Sequence, residues 1–169
     1  MKEYYYDAWL EDGTSPIGYR QAGWLAPERR VRRKFSEVQP GAALPGFQQG
    51  PVTRTDIVKY AGASWDFNPV HHDETFAKKA RSGGIIAHGM MMFAYLGRLA
   101  TVYLGTSEFD RFSARFVDVT RAGDTLRIEG RVEKVVPHAR GGEVVLTVQA
   151  SKQTGELVAT GQVTATLPD

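Results

Sequence analysis

Gly89-Met90-Met91-Met92-Phe93-Ala94-Tyr95-Leu96-Gly97-Arg98-Leu99-Ala100-Thr101-Val102-Tyr103-Leu104 is the stretch on which the fold turns. Its residues suit a helix, and they are apolar nearly all the way round, so the helix should be buried rather than laid on a surface. Gly105 is the expected stop. Sixteen residues at 1.5 Å each give roughly 24 Å, and the unbroken apolar run Met90 to Ala94 is far short of the ~20 residues that cross a bilayer. Such a helix needs a cover on more than one side.

The cover lies downstream. After Ser107 the pattern changes to period two: Phe112, Ala114 and Phe116; Leu126, Ile128 and Val132, ending before Pro137; Val144, Leu146, Val148 and Ala150; then Leu157, Ala159, Val163, Ala165 and Leu167. Alternation of this kind gives each strand one apolar face. Arg121 to Asp124, His138 to Gly142 and Gln153 to Gly155 are the expected turns, and connections so short favour antiparallel pairing. The economical packing wraps one antiparallel sheet around the helix, an α+β arrangement rather than a doubly wound α/β one.

Upstream, Thr53 is a candidate N-cap with Asp56 three residues on, and Ile57, Tyr60 and Ala61 share a helical face. A second short helix should begin at Asp73 and stop at Ser82-Gly83-Gly84. The first fifty residues are cut up by Gly and Pro, yet Tyr4, Tyr5, Tyr6, Trp9, Tyr19 and Trp24 make them too aromatic for an ordinary tail. They read as an ordered, loop-rich arm that packs its rings on the body or on a partner subunit, with a floppy tail as the alternative.

At 169 residues the chain suits one domain. Absence of cysteine excludes disulfides, thiolate metal sites and thiol nucleophiles. Twenty-one basic against nineteen acidic side chains leave a net charge of +2, too little to announce a nucleic-acid partner. The start, Met1-Lys2-Glu3-Tyr4, lacks the apolar stretch of a secretory signal, so a soluble cytoplasmic protein is expected.

Two loops carry the chemistry. Between the first two helices runs Trp65-Asp66-Phe67-Asn68-Pro69-Val70-His71-His72-Asp73. Pro69 fixes its own φ and pushes Asn68 towards extended geometry. A turn this stiff can aim Asp66 and His71 into one cleft, where a carboxylate and an imidazole could hold a water. Equally, Asp66 and Asn68 could be turn formers and His71 a helix-entry residue. The second loop, Gly83-Gly84-Ile85-Ile86-Ala87-His88-Gly89, delivers the chain to the start of the buried helix. Unpaired N–H groups and the positive end of the dipole make that start a reasonable oxyanion site.

The pair of segments Asp66-Phe67-Asn68-Pro69-Val70-His71 and Ile86-Ala87-His88-Gly89-Met90 resembles the MaoC-like (R)-specific enoyl-thioester hydratases and 3-hydroxyacyl-thioester dehydratases. The likeness spans roughly Phe47 to Leu167, dividing the chain into an N-terminal extension, 1–46, and a domain, 47–169. It implies the hot-dog fold, a curved antiparallel sheet around one long helix, and a homodimer paired edge to edge. It also implies that Asp66 and His71 are the catalytic pair and that the Gly89 N–H stabilises the thioester carbonyl. Asn68, His88 and Gly84 are expected on the substrate-binding side, with Asn68 shaping the loop and His88 leading into the helix with a local hydrogen bond. Some relatives carry a serine further along the helix, where this chain has Gly97.

The substrate so implied is a coenzyme A or acyl-carrier-protein thioester, with no cofactor, no metal, no nucleic acid and no membrane partner. A metal site from His71, His72, Asp73 and His88 is conceivable but matches no compact ligand motif. Arg29, Arg30, Arg32, Arg33 and Lys34, or Lys78, Lys79 and Arg81, could meet coenzyme A phosphates, although solvated charge explains either run. Rival readings are a non-catalytic hot-dog subunit that tunes a partner, and a hot-dog thioesterase.

Overall fold

The computed structural model describes residues 32–169. The aromatic arm, with Arg29 and Arg30, lies outside the described residues. Helix α1, Arg54–Ser64, is followed by α2, Glu74–Lys79, and by the long α3, Gly89–Leu104. Gly105 ends α3 at φ 70°, a left-handed value that favours glycine, and its N–H returns to the Thr101 carbonyl at 3.0 Å. Five strands, β1 (Phe47–Gln49), β2 (Arg111–Phe116), β3 (Leu126–His138), β4 (Gly141–Lys152) and β5 (Leu157–Leu167), form one antiparallel sheet in the order β1-β3-β4-β5-β2.

The sheet packs its apolar face on α3. Leu96, Leu99, Ala100 and Leu104 of the helix are wholly buried with Ile128, Leu146, Val148 and Val163 of the central strands. Each large side chain so buried contributes about 1.5–3 kcal/mol, which makes this contact the principal source of stability. The result is the α+β hot-dog arrangement expected from the sequence.

Four details differ from the sequence reading. Helix α3 is not buried all round: Met90 and Val102, 53% and 46% exposed, lie with Ala94 and Arg98 on an open stripe. One sheet covers one side of a helix, and this stripe is the opposite side. Strand β2 does not pair with β3 but crosses to β5, because segment 117–125 spends its backbone groups elsewhere: Val117 N–H on Val158, Thr120 carbonyl on Ala87, Asp124 carbonyl on Val52. Strand β3 continues through Pro137 to His138, where Pro137 sits opposite Gly142 beside the hairpin turn. Finally, a further edge strand, β1, pairs with β3.

The described part of the expected extension belongs to the same body. Gly41 donates to the Val132 carbonyl, Val132 to Ala42 and Leu44 to Gly130, while Val38 and Leu44 are buried in the core. The packed structure therefore starts upstream of residue 47. Among the described residues no helix is long and apolar enough to cross a membrane.

Candidate active site

Helix α1 aims the first loop. Thr53 and Asp56 exchange caps at its start: the Asp56 N–H donates to Thr53 Oγ1 at 3.1 Å and the Thr53 N–H to Asp56 Oδ2 at 2.8 Å. At its end Trp65 takes up a left-handed φ of 58°, costly for a residue with a Cβ, and leaves its ring 84% exposed. That reversal presents Asp66. Its Oδ1 accepts from the Asn68 N–H at 3.3 Å, and Asn68 Oδ1 in turn accepts from Val70 at 3.1 Å. With Pro69 next, these Asx contacts wind residues 69–71 into a single 3₁₀ turn that swings His71 inward. Asn68 thus shapes the loop through its own carbonyl.

His71 is buried, and its Nδ1 lies 2.8 Å from the Ile86 carbonyl. A carbonyl only accepts, so Nδ1 carries a hydrogen, and Nε2 is the ring atom left to accept a hydrogen bond. That Nε2 faces Asp66 Oδ2 at 3.8 Å, too far for a direct hydrogen bond. Two acceptors so placed match a water that donates one hydrogen to each from about 2.8 Å. The Asp66 side chain is half exposed, so the water has a path from solvent.

His88 completes the cluster in a way the sequence did not suggest. Its hydrogen bond is not local: Nε2 donates to the backbone carbonyl of Asp66, 22 positions earlier, at 3.0 Å. Its ring stacks on His71 with centroids 3.7 Å apart and planes 26° apart, and Tyr60 packs at 5.0 Å. Burial holds the His88 pKa below the usual value, opposed by the bond to the Asp66 backbone. The same burial, with the Asp66 charge, pushes the Tyr60 hydroxyl up. Among the described residues, His88 Nδ1 is buried with no hydrogen-bond partner.

Ligand-type atoms of Asp66, His71 and His88 fall within 4.8 Å of one another. This set differs from the one considered from sequence, because His72 turns outward to the Phe67 carbonyl and Asp73 caps α2. The spacing would admit a cation, and equally a water and a mobile proton.

The start of α3 borders this cluster. Helices α1 and α2 begin under side-chain caps from Thr53 and Asp73, whereas His88, at the N-cap of α3, gives none. The first N–H groups of α3, Gly89 among them, therefore have no side-chain cap, which is what an oxyanion requires. A side chain at Gly89 would come within 3.3 Å of the Phe116 ring. Gly84, at φ 151°, is buried against Arg121, whose guanidinium reaches the carbonyls of Ser82 and, at 3.4 Å, Ile85. Arg121 thereby holds the second loop. The sequence offered no sign of this, since Arg121 reads there as a turn residue. At Gly97 a Cβ would lie 3.1 Å from the Phe112 ring, so an aromatic edge packs where a side chain would start.

The described part of the basic run, Arg32 to Lys34, sits elsewhere. Arg32 pairs with Glu108 at 3.0 Å, and Arg33 donates to the Tyr103 carbonyl and lies over its ring, all at the far end of α3. Lys78 pairs with Glu74 on α2.

The chain also resembles known proteins. Residues 37–154 match the family model described as MaoC like domain. The chain is 26% identical over 150 residues to the 3-hydroxybutyryl-CoA dehydratase of Methylorubrum extorquens, covering 85% of this chain and 89% of that protein. It is 35% identical over 112 residues to the fatty acid synthase subunit beta of Aspergillus oryzae, which takes in 63% of this chain and only 5% of that much longer protein. Among solved structures, the monoamine oxidase regulatory protein of Archaeoglobus fulgius aligns with a TM-score of 0.70 at 30% identity, over 82% of this chain and 95% of that one. A buried imidazole beside a carboxylate, an uncapped helix start and a match across most of the folded body converge: the chain belongs to the MaoC-like dehydratase domain family.

Proposed function

We propose that the protein is a hydro-lyase that adds water to trans-2-enoyl thioesters and, in reverse, dehydrates (R)-3-hydroxyacyl thioesters of coenzyme A or an acyl carrier protein. The observation that carries this reading is the 3.8 Å approach of Asp66 Oδ2 to His71 Nε2 beside an uncapped helix start. In hydration the oxygen of the held water bonds to C3 as the C2–C3 π bond opens. One water proton passes to the dyad, and a proton passes from the dyad to C2, so the net change is one water added. Negative charge gathers meanwhile on the thioester oxygen, where the Gly89 N–H and the helix dipole oppose it. This scheme needs no cofactor.

The sheet edge at β2, with Phe116 and Val117 exposed beside it and Met90 on the open stripe of α3, supports a homodimer. A cytoplasmic location fits such substrates. Loss of conjugated enoyl-thioester absorbance on adding the purified protein tests the activity. Full activity in Asp66→Asn or His71→Ala would overturn the dyad.

A second reading, a hot-dog subunit active only beside a catalytic partner, draws on the regulatory name of the Archaeoglobus protein. The facing carboxylate and imidazole weigh against it. Inactivity alone, with activity restored by a second protein, would favour it.

A further inference from the structure

The dyad residues share one short loop, yet their separation is not fixed by that loop alone. Segment 86–88 clips onto it at three points: the Ile86 N–H meets the Val70 carbonyl at 3.3 Å, the Ile86 carbonyl takes the His71 Nδ1 hydrogen at 2.8 Å, and His88 Nε2 donates to the Asp66 carbonyl at 3.0 Å. Only the last contact uses a side chain of the clip. Within this segment His88 touches both members of the dyad, holding the Asp66 backbone by its edge and the His71 ring by its face.

We infer that His88 is a positioning residue that sets the distance and orientation of Asp66 relative to His71. The inference deepens the hydro-lyase reading and rests on it for the identity of the dyad. Three observations support it. His88 is 1% exposed, so it does not reach bulk solvent. Its hydrogen-bond donor is spent on a backbone carbonyl, and the remaining Nδ1 lone pair is unpaired. An imidazole kept in such a place, where leucine or phenylalanine would fill the volume without an orphan polar atom, calls for a reason. Anchoring Asp66 supplies one. The stacked ring also fixes the plane of the His71 imidazole, at 3.7 Å between centroids.

Two substitutions separate the roles. His88→Phe keeps a ring of similar size and loses the donor, whereas His88→Gln loses the ring and restores an amide N–H near the Nε2 position. Each folded variant is assayed for enoyl-thioester hydration across pH, and the His71 ring is followed by long-range ¹H–¹⁵N NMR. His88→Phe should lower kcat about 10- to 100-fold with KM within about twofold, as expected when reacting groups are misplaced by a fraction of an ångström. His88→Gln should recover part of that loss, and the His71 titration midpoint should move in His88→Phe. Unchanged kcat and an unmoved midpoint would overturn the inference, as would a loss confined to thermal stability. Inactive wild-type protein would count against the hydro-lyase reading, and the NMR midpoint would then decide the role of His88 without any turnover.

Discussion

The two ends of α3 are built on opposite plans. At the C-terminal end the polar groups are well paired. Arg33 donates its backbone N–H to Leu104 and its Nε to Tyr103, its guanidinium covers the Tyr103 ring at 4.5 Å, and Gly105 closes the last turn. At the N-terminal end, among the described residues, hydrogen-bonding capacity is left over: His88 at the N-cap gives no side-chain cap, His71 Nε2 and Asp66 Oδ2 face each other across 3.8 Å, and His88 Nδ1 has no partner. Unpaired capacity in a folded protein costs stability. The difference is that one end has its polar groups spent on holding the fold, whereas the other keeps donors and acceptors to spare.

Substitutions at the two ends should therefore fail in different currencies. The largest effect is expected at the reactive end, where His71→Ala should cut hydration at least about 100-fold while the melting temperature moves little. Enoyl absorbance and thermal unfolding measured on the same sample check this, and a collapse of the fold would break the contrast. Arg33→Ala should do the reverse. It strands the Tyr103 carbonyl and should cost about 2 kcal/mol, lowering the melting temperature by about 4–8 °C without changing kcat per folded molecule.

A third test uses another helix start as a control. Thr53→Ala removes a working cap from α1 and should cost about 1 kcal/mol by urea titration. The corresponding His88 site has no cap to lose.

The smallest effect is a pH slope. Burial lowers the His88 pKa in the fold below its unfolded value near 6.5. Below about 6.5 the unfolded chain takes up a proton that the folded chain refuses, so this contribution is complete above that pH and declines as pH falls through the folded value. Melting temperatures between pH 8 and 5 should drop towards acid, and His88→Phe should show a shallower drop.

Much of the site was legible because its signals are local. Thr53 and Asp73 announce helix starts by side-chain chemistry, and Asn68-Pro69 announces a turn, so the loop carrying Asp66 and His71 could be placed from spacing alone. The position of Arg121 on the Ser82–Ile85 turn could not, since nothing near Arg121 in the chain hints at a partner 36 or more positions away. The role of His88 is hidden in the sequence for the same reason. Its apparent role was local to the helix start, while its actual partners, Asp66, His71 and Tyr60, arrive from the first helix and its loop.

Strand pairing divides in the same manner. The hairpins joining β3, β4 and β5 follow from period-two runs and short turns. The crossing of β2 to β5 depends on where segment 117–125 finds its backbone partners. By itself the sequence determined the buried helix, its glycine stop, the alternating strands and the residue types able to share a proton, because each is a matter of pattern within a few residues. Only the tertiary structure decided which lone pairs face each other, that α3 keeps an open stripe, and that an imidazole from the helix start grips the dyad. Those outcomes depend on distances between segments far apart in the chain, which no local pattern encodes.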